Sequence, residues 1–243
     1  MKSAIMQPTF NPWLGYFDLI DQVDTFVFLD DTQLTKRSWQ VRNKIKLNGS
    51  EFWLTLPVKK TASRDELLLC DAALNNDEKW KKKHISTLEN AYRKTVHFKV
   101  IIEFLKPLYK AAENLSNFNT SLIVSISEKI GLKTEFVFSS KLEGVKGKKD
   151  FKLNSILELV DSEVYISPQG SAIYLNELST GGEIVRNRRT LFYHDYHPKE
   201  YLQTKGDFIP YLGIFDVLFN EGFDRTLEII RAGRKDLLNF DVL

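Results

Sequence analysis

Apolar positions along the chain alternate between two spacings, one of strands and one of helices. Ala4 to Gln7 reads as a short buried strand that stops at Pro8, whose ring removes a donor from any sheet ladder. Gly15 to Ile20 reads as a helix, with Tyr16, Leu19, Ile20 and Val23 spaced to face a core. Thr25 to Leu29 is an unbroken apolar run that ends in Asp30 and Asp31. Such a run predicts a strand buried on both faces, as in a parallel sheet. Strand, helix, strand is the opening of a βαβ unit, and in parallel sheets ligands settle outside the carboxyl ends of the strands. Those two ends carry Gln7-Pro8 and Asp30-Asp31.

Val41 to Leu47 and Phe52 to Val58 flank Asn48-Gly49, the signature of a two-residue hairpin turn. Helices are predicted over Asp77 to Lys94, Lys99 to Ala112 and Thr120 to Ile130. Pro107 should kink or split the second, and Gly131 should cap the third. Farther on come a strand at Glu135 to Ser139, a helix at Asp150 to Val160, and a strand at Glu163 to Ile166. A helix near Ala172 to Leu178 and a strand at Leu191 to Tyr193 follow, with Thr180-Gly181-Gly182 as a turn between them. Pro210 to Arg231 reads as two short helices joined at Asn220 to Gly222. The expected fold class is α/β: a mostly parallel, Rossmann-like sheet flanked by helices, with a β-hairpin insertion near 41–58 and a helical C-terminal end. One domain over 1–243 is expected, with the helical portion at about 76–131 open to being a subdomain.

Composition changes this picture little. A chain of 243 residues, 43% hydrophobic and 27% charged, has the make-up of a globular protein. Its 34 basic and 32 acidic residues give a net charge of +2, so no overall field calls for nucleic acid or an anionic membrane. One cysteine, Cys70, excludes an internal disulfide and reads as a small buried hydrophobe. No stretch approaches the roughly 18 apolar residues of a spanning helix, and no signal peptide precedes Pro8. A cytoplasmic protein is expected.

Candidate chemistry concentrates between residues 7 and 43. Gln7, Trp13, Tyr16, Asp30, Asp31, Gln33, Lys36, Arg37, Trp39, Arg42 and Asn43 crowd segments that lack core-facing periodicity. Lys36, Arg37 and Arg42 suit a phosphate, and Trp13 or Trp39 a stacked base or sugar. The plainer alternative makes the tryptophans core anchors and the cations a solvated face. Asp30 and Asp31 suit Mg²⁺ or Mn²⁺ on a diphosphate, or ribose hydroxyls; alternatively one caps a turn and the other pairs with Lys36 or Arg37. His84 shares a helical stripe with Trp80 and Leu88, where it is either a hydrogen-bonded core histidine or a general base. His97, His194 and His197 form no metal-ligand spacing. Ser167 to Ser171, with Gly170, suits either an anion site at a helix start or a simple turn.

The string Gln7-Pro8-Thr9-Phe10-Asn11-Pro12-Trp13-Leu14-Gly15-Tyr16-Phe17-Asp18-Leu19-Ile20 closely resembles the opening of the WbqC-like protein family. So do Phe26 to Gln33, Lys36 to Trp39, Arg42-Asn43, Tyr201-Leu202-Gln203, Phe208 to Pro210 and Leu212 to Gly222. The similarity spans almost the whole chain. It implies a role in bacterial O-antigen or other surface-polysaccharide pathways, beside enzymes that make amino sugars. A weaker likeness joins the pattern Pro-x-x-x-Pro-x-x-Gly-x-x-x-Leu-Ile to Rossmann-like nucleotidyltransferases. Those enzymes place two histidines around the glycine, where this chain has Trp13 and Tyr16. Adenylyl transfer by that route is therefore not expected.

Three functions follow as expectations. The first is a transferase that puts an acyl or aminoacyl group on a nucleotide-linked amino sugar or other small phosphorylated ligand. Asp30, Asp31 and His84 would be catalytic, and Gln7, Trp13, Tyr16, Gln33, Lys36, Arg37, Trp39, Arg42, Asn43, Gly170 and Gln203 would bind ligand. The second is a non-catalytic sugar-nucleotide-binding or pathway-assembly protein. The third is a glycosyltransferase dependent on Mg or Mn. No cofactor is specified, and a homo-oligomer stays open.

Overall fold

The computed structural model describes residues 1–35, 38–59, 66–177 and 179–242. Strand β1 (Lys2–Met6) leads through a loop into helix α1 (Leu14–Asp21) and strand β2 (Thr25–Phe28), as the opening pattern requires. The hairpin follows as β3 (Arg42–Leu47) and β4 (Ser50–Thr55). Asn48 and Gly49 both take positive φ, which gives the turn a twist matched to its strands. Three helices come next: α2 (Glu78–Tyr92), α3 (Phe98–Lys110) and α4 (Leu115–Ile130). The remainder alternates as β5 (Glu135–Phe138), α5 (Lys149–Leu159), β6 (Val164–Pro168), α6 (Ala172–Leu175), α7 (Gly182–Arg186), β7 (Thr190–His194), α8 (Ile214–Ala232) and β8 (Leu238–Asn239).

The main sheet runs β5-β2-β1-β6-β7-β8, parallel except for β8, which pairs antiparallel with β7. Without the hairpin the strand order is that of a doubly wound Rossmann sheet. Side chains alternate across it. Ala4, Phe26, Phe28 and Ile166 face one apolar layer, built with α1, α4 and α8. Ile5, Val27 and Tyr165 face another, built with α5, α6 and α7. Two apolar layers explain why the central strands lack polar alternation.

Local departures from the sequence reading have local causes. Pro107 lies in the last turn of α3, where few later backbone bonds depend on it, and the helix runs on to Lys110 instead of splitting. Helix α4 starts at Leu115 rather than Thr120, because the Asn114 side chain accepts a bond from Asn117 N–H and caps it. Helix α6 has only four residues, and Leu178 lies outside the described residues. The Gly181-Gly182 turn opens the short α7, which the sequence pattern did not show. In agreement with the sequence reading, α8 is two helical stretches that meet at a kink at Gly222, which takes the non-helical φ 75° and ψ 175°. Cys70 is half-buried rather than buried, and burial and the neighbouring carboxylates of Asp71 and Asp30 raise its thiol pKa. Among the described residues no helix is long and apolar enough to cross a membrane.

Candidate functional site

The sequence changes direction in the sheet at β1: β2 lies on one side of it and β6 on the other. Open α/β sheets bind ligands at this switch point, outside the carboxyl ends of the strands. A crevice occupies that position. One cavity, of about 290 Å³, is lined by Met6, Thr9, Trp13, Tyr16, Trp39, Asn43 and Tyr211. A second, of about 350 Å³, shares Met6, Trp13, Tyr16 and Tyr211 and continues along Gly170, His194 and Tyr196. Its aromatic walls are in mutual contact. Trp13 meets Tyr196 edge-on and Tyr211 at a tilt, each with ring centroids 5.4 Å apart. Trp39 and Tyr211 are 53% and 48% exposed, so each leaves ring surface open to a ligand.

Loop hydrogen bonds hold these rings in place. Phe10 N–H donates to the Trp39 carbonyl at 2.9 Å, and Asn43 Nδ2 donates to the Asn11 carbonyl at 2.7 Å. Asn11 Oδ1 accepts from Phe215 N–H at 3.0 Å, which ties the N-terminal loop to the start of α8. Only glycine fits at 213, since a Cβ there would lie 2.1 Å from Asn11 Nδ2. The indole of Trp13 lies across Gly15, where a Cβ would be 2.4 Å from the ring. The start of α1 is thus partly covered by an aromatic ring.

The expected residues fall into distinct places. Trp13, Tyr16, Trp39, Asn43 and Gly170 line the crevice. Burial holds the Tyr16 phenol neutral, and it donates to the Gln7 carbonyl at 3.1 Å. The Gln7 side chain donates to Thr32 and accepts from Gln40. Gln33 is exposed and bridges to Leu68. Gln203 accepts from Ile209 N–H and donates to the Ile209 carbonyl, and it also receives the buried Lys46 ammonium at 3.2 Å. Arg42 stacks over Trp53 at 4.4 Å, and Trp53 in turn meets Trp39. Lys36 and Arg37 lie outside the described residues.

Asp30 and Asp31 join β2 to the end of β5. Asp30 accepts from Ser140 N–H at 3.0 Å and Ser140 Oγ at 2.7 Å, while Ser139 Oγ donates to Asp31. Asp31 pairs with Lys152 at 2.8 Å, while the expected partners Lys36 and Arg37 lie outside the described residues. An ammonium so close to the carboxylate repels a divalent cation, so this pair does not fit Mg²⁺ or Mn²⁺. Among the described residues no group of three His, Cys, Asp or Glu side chains is arranged for a metal. His84 is packed among Phe10, Trp80 and Tyr109, with Nε2 3.1 Å from the Thr55 carbonyl. Burial pushes its pKa down to about 4.

One arrangement was invisible to the sequence pattern. Asp18, fully buried on α1, lies 2.7 Å from Nε2 of His194 at the end of β7. Its other oxygen receives Arg234 at 2.8 Å, and Gln22 Nε2 donates to the same oxygen as His194. The two partners are 176 residues apart, and no local spacing announces them. An aspartate inside an apolar helical stripe was the available signal, because a buried carboxylate needs partners.

The comparisons with known proteins agree with the resemblance in the motifs. The model of the WbqC-like protein family matches residues 7–228. The chain is 34% identical to the uncharacterized protein Rv1507c of Mycobacterium tuberculosis, over 91% of its own length and 94% of that protein's. No solved structure matches it. The chain belongs to the WbqC-like protein family.

Proposed function

We propose that the crevice binds a nucleotide-linked amino sugar, and that the protein transfers an acyl or aminoacyl group to its amine during bacterial surface-polysaccharide synthesis. The observation that carries this reading is the aromatic lining at the switch point of a Rossmann-like sheet. Trp39 and Tyr211 would stack the base or sugar, and Asn43 and Thr9 would sit at its polar edge. Arg42, with Lys36 and Arg37 before Trp39 in the chain, would meet the diphosphate. In this reading Asp30 and Asp31 act as a brace between strands.

A non-catalytic sugar-nucleotide carrier is the second reading, favoured by the engagement of Asp30, Asp31 and His84 with protein partners. It predicts binding without turnover.

Thermal unfolding with a panel of uridine and thymidine nucleotide sugars tests both. A ligand at 100 times its dissociation constant adds about 2.7 kcal/mol of stability. We expect at least one to stabilise the wild type, with the shift lost in Trp39→Ala and Tyr211→Ala. A panel without any shift rejects the nucleotide-sugar reading. A bound ligand that is never acylated in the presence of activated acyl donors supports the carrier.

A further inference from the structure

We infer that Asp18 and His194 form the base of this site, with His194 taking the proton of an acceptor amine and Asp18 positioning the ring. The inference rests on the nucleotide-sugar reading above. His194 ends β7, lines the crevice beside Trp13, Tyr16 and Gly170, and is only 8% exposed. Asp18 sits 2.7 Å from Nε2, so that nitrogen carries the proton and donates it. Nδ1 is then left with a lone pair, and it has no hydrogen-bond partner among the described residues. Tyr196 stacks on the ring with centroids 6.1 Å apart, which holds its plane. Arg234 pairs with the other oxygen of the Asp18 carboxylate, and Asp21 accepts from the same guanidinium. Asp195 and His197 lie next along the chain and line the same cavity.

A buried carboxylate, an imidazole and a wall of rings make a base that points into a ligand cavity. His84 has the opposite setting, with both nitrogens facing protein groups. The step balances with an acyl thioester as donor. The lone pair of the amine forms a C–N bond to the thioester carbonyl, and one N–H proton passes to Nδ1 of His194. The C–S bond breaks with its electron pair on sulfur, and the imidazolium returns the proton to the thiolate.

The test uses the full wild-type chain with ¹⁵N-labelled histidine, whose ring nitrogens NMR distinguishes. At mildly alkaline pH, His194 should show a protonated Nε2 and a bare Nδ1. UDP-glucosamine, as the probe, should shift the Nδ1 signal and slow carbethoxylation of His194 by diethyl pyrocarbonate, by about tenfold at saturation. A proton on Nδ1 would overturn the assignment, even if the nucleotide sugar binds. So would a bound probe, detected by Trp39 fluorescence, that leaves Nδ1 and its reactivity unchanged. If this probe does not bind, the wider panel decides the nucleotide-sugar reading, and the tautomer together with reactivity at Nδ1 still decides the dyad. Asp18→Asn adds a second arm: it should weaken the Nε2 preference in a chain whose circular dichroism remains native. His194→Gln should abolish the carbethoxylated peptide.

Discussion

Two buried residues make opposite demands on pH. Burial lowers the pKa of His84 from 6.5 to about 4, a fall that its bond to the Thr55 carbonyl opposes without reversing. The folded state therefore needs this ring neutral. Its contribution is complete above pH 6.5 and is lost as the pH falls toward 4. Burial also raises the pKa of Asp216 from 3.8 to about 6, although Tyr92 and Tyr201 donate to it. Its contribution is largest below pH 3.8 and is lost as the pH rises to 6. Each shift corresponds to a stability change on the order of 3 kcal/mol, so between pH 4 and 6 the two oppose one another. Substitution should unmask them. Relative to wild type, Asp216→Asn should gain stability between pH 4 and 7, and His84→Gln should gain it between pH 7 and 4. Urea unfolding at both ends of that range measures the differences. Differences that do not vary with pH would show that neither ionisation is linked to folding.

Elements here are set by capping and by a few backbone conformations. Gly222, at φ 75° and ψ 175°, bends α8 in a region that side chains other than glycine avoid. A Cβ at this position would also lie 2.6 Å from the ring of His97. Gly222→Ala should therefore destabilise the fold by about 1–3 kcal/mol, read as a lower midpoint in chemical denaturation. An unchanged midpoint would mean the bend relaxes without strain. The tie between β2 and β5 belongs to the same scale. Asp30→Ala leaves Ser140 without its acceptor, and should cost about 1–3 kcal/mol while nucleotide-sugar binding persists. Loss of binding in a folded Asp30→Ala chain would return Asp30 to the ligand site. Long periodic elements such as α2 were legible because one apolar stripe decides them. The early start of α4 and the existence of α7 were not, because a side-chain cap sets the first and a glycine turn the second.

At the scale of the whole molecule, strand order places the crevice. It forms where β1 separates β2 from β6, at the ends that carry Met6, Pro168 and His194. A larger cavity, about 520 Å³ between Leu47, Arg93 and Lys205, lies elsewhere. Ligand binding should follow the topology rather than the volume. Arg93→Ala should leave the thermal shift by nucleotide sugars intact, whereas Tyr211→Ala should abolish it. The reverse result would move the site to the second cavity.

The sequence by itself determined the α/β class, the hairpin and the family, because each depends on local periodicity, turn chemistry or a contiguous motif. It also pointed to the segment from Gln7 to Asn43, from which Trp13, Tyr16, Trp39 and Asn43 reach the crevice. It could not separate side chains that face the cavity from those that brace loops: Gln7 only braces, whereas Asn43 lines the crevice and also ties down the Asn11 carbonyl. The meeting of Asp18 with His194, and of Asn11 with Gly213 and Phe215, was decided by tertiary structure alone. Both join residues far apart in the chain that become neighbours only when parallel strands and their helices stack, and no short-range pattern encodes that distance.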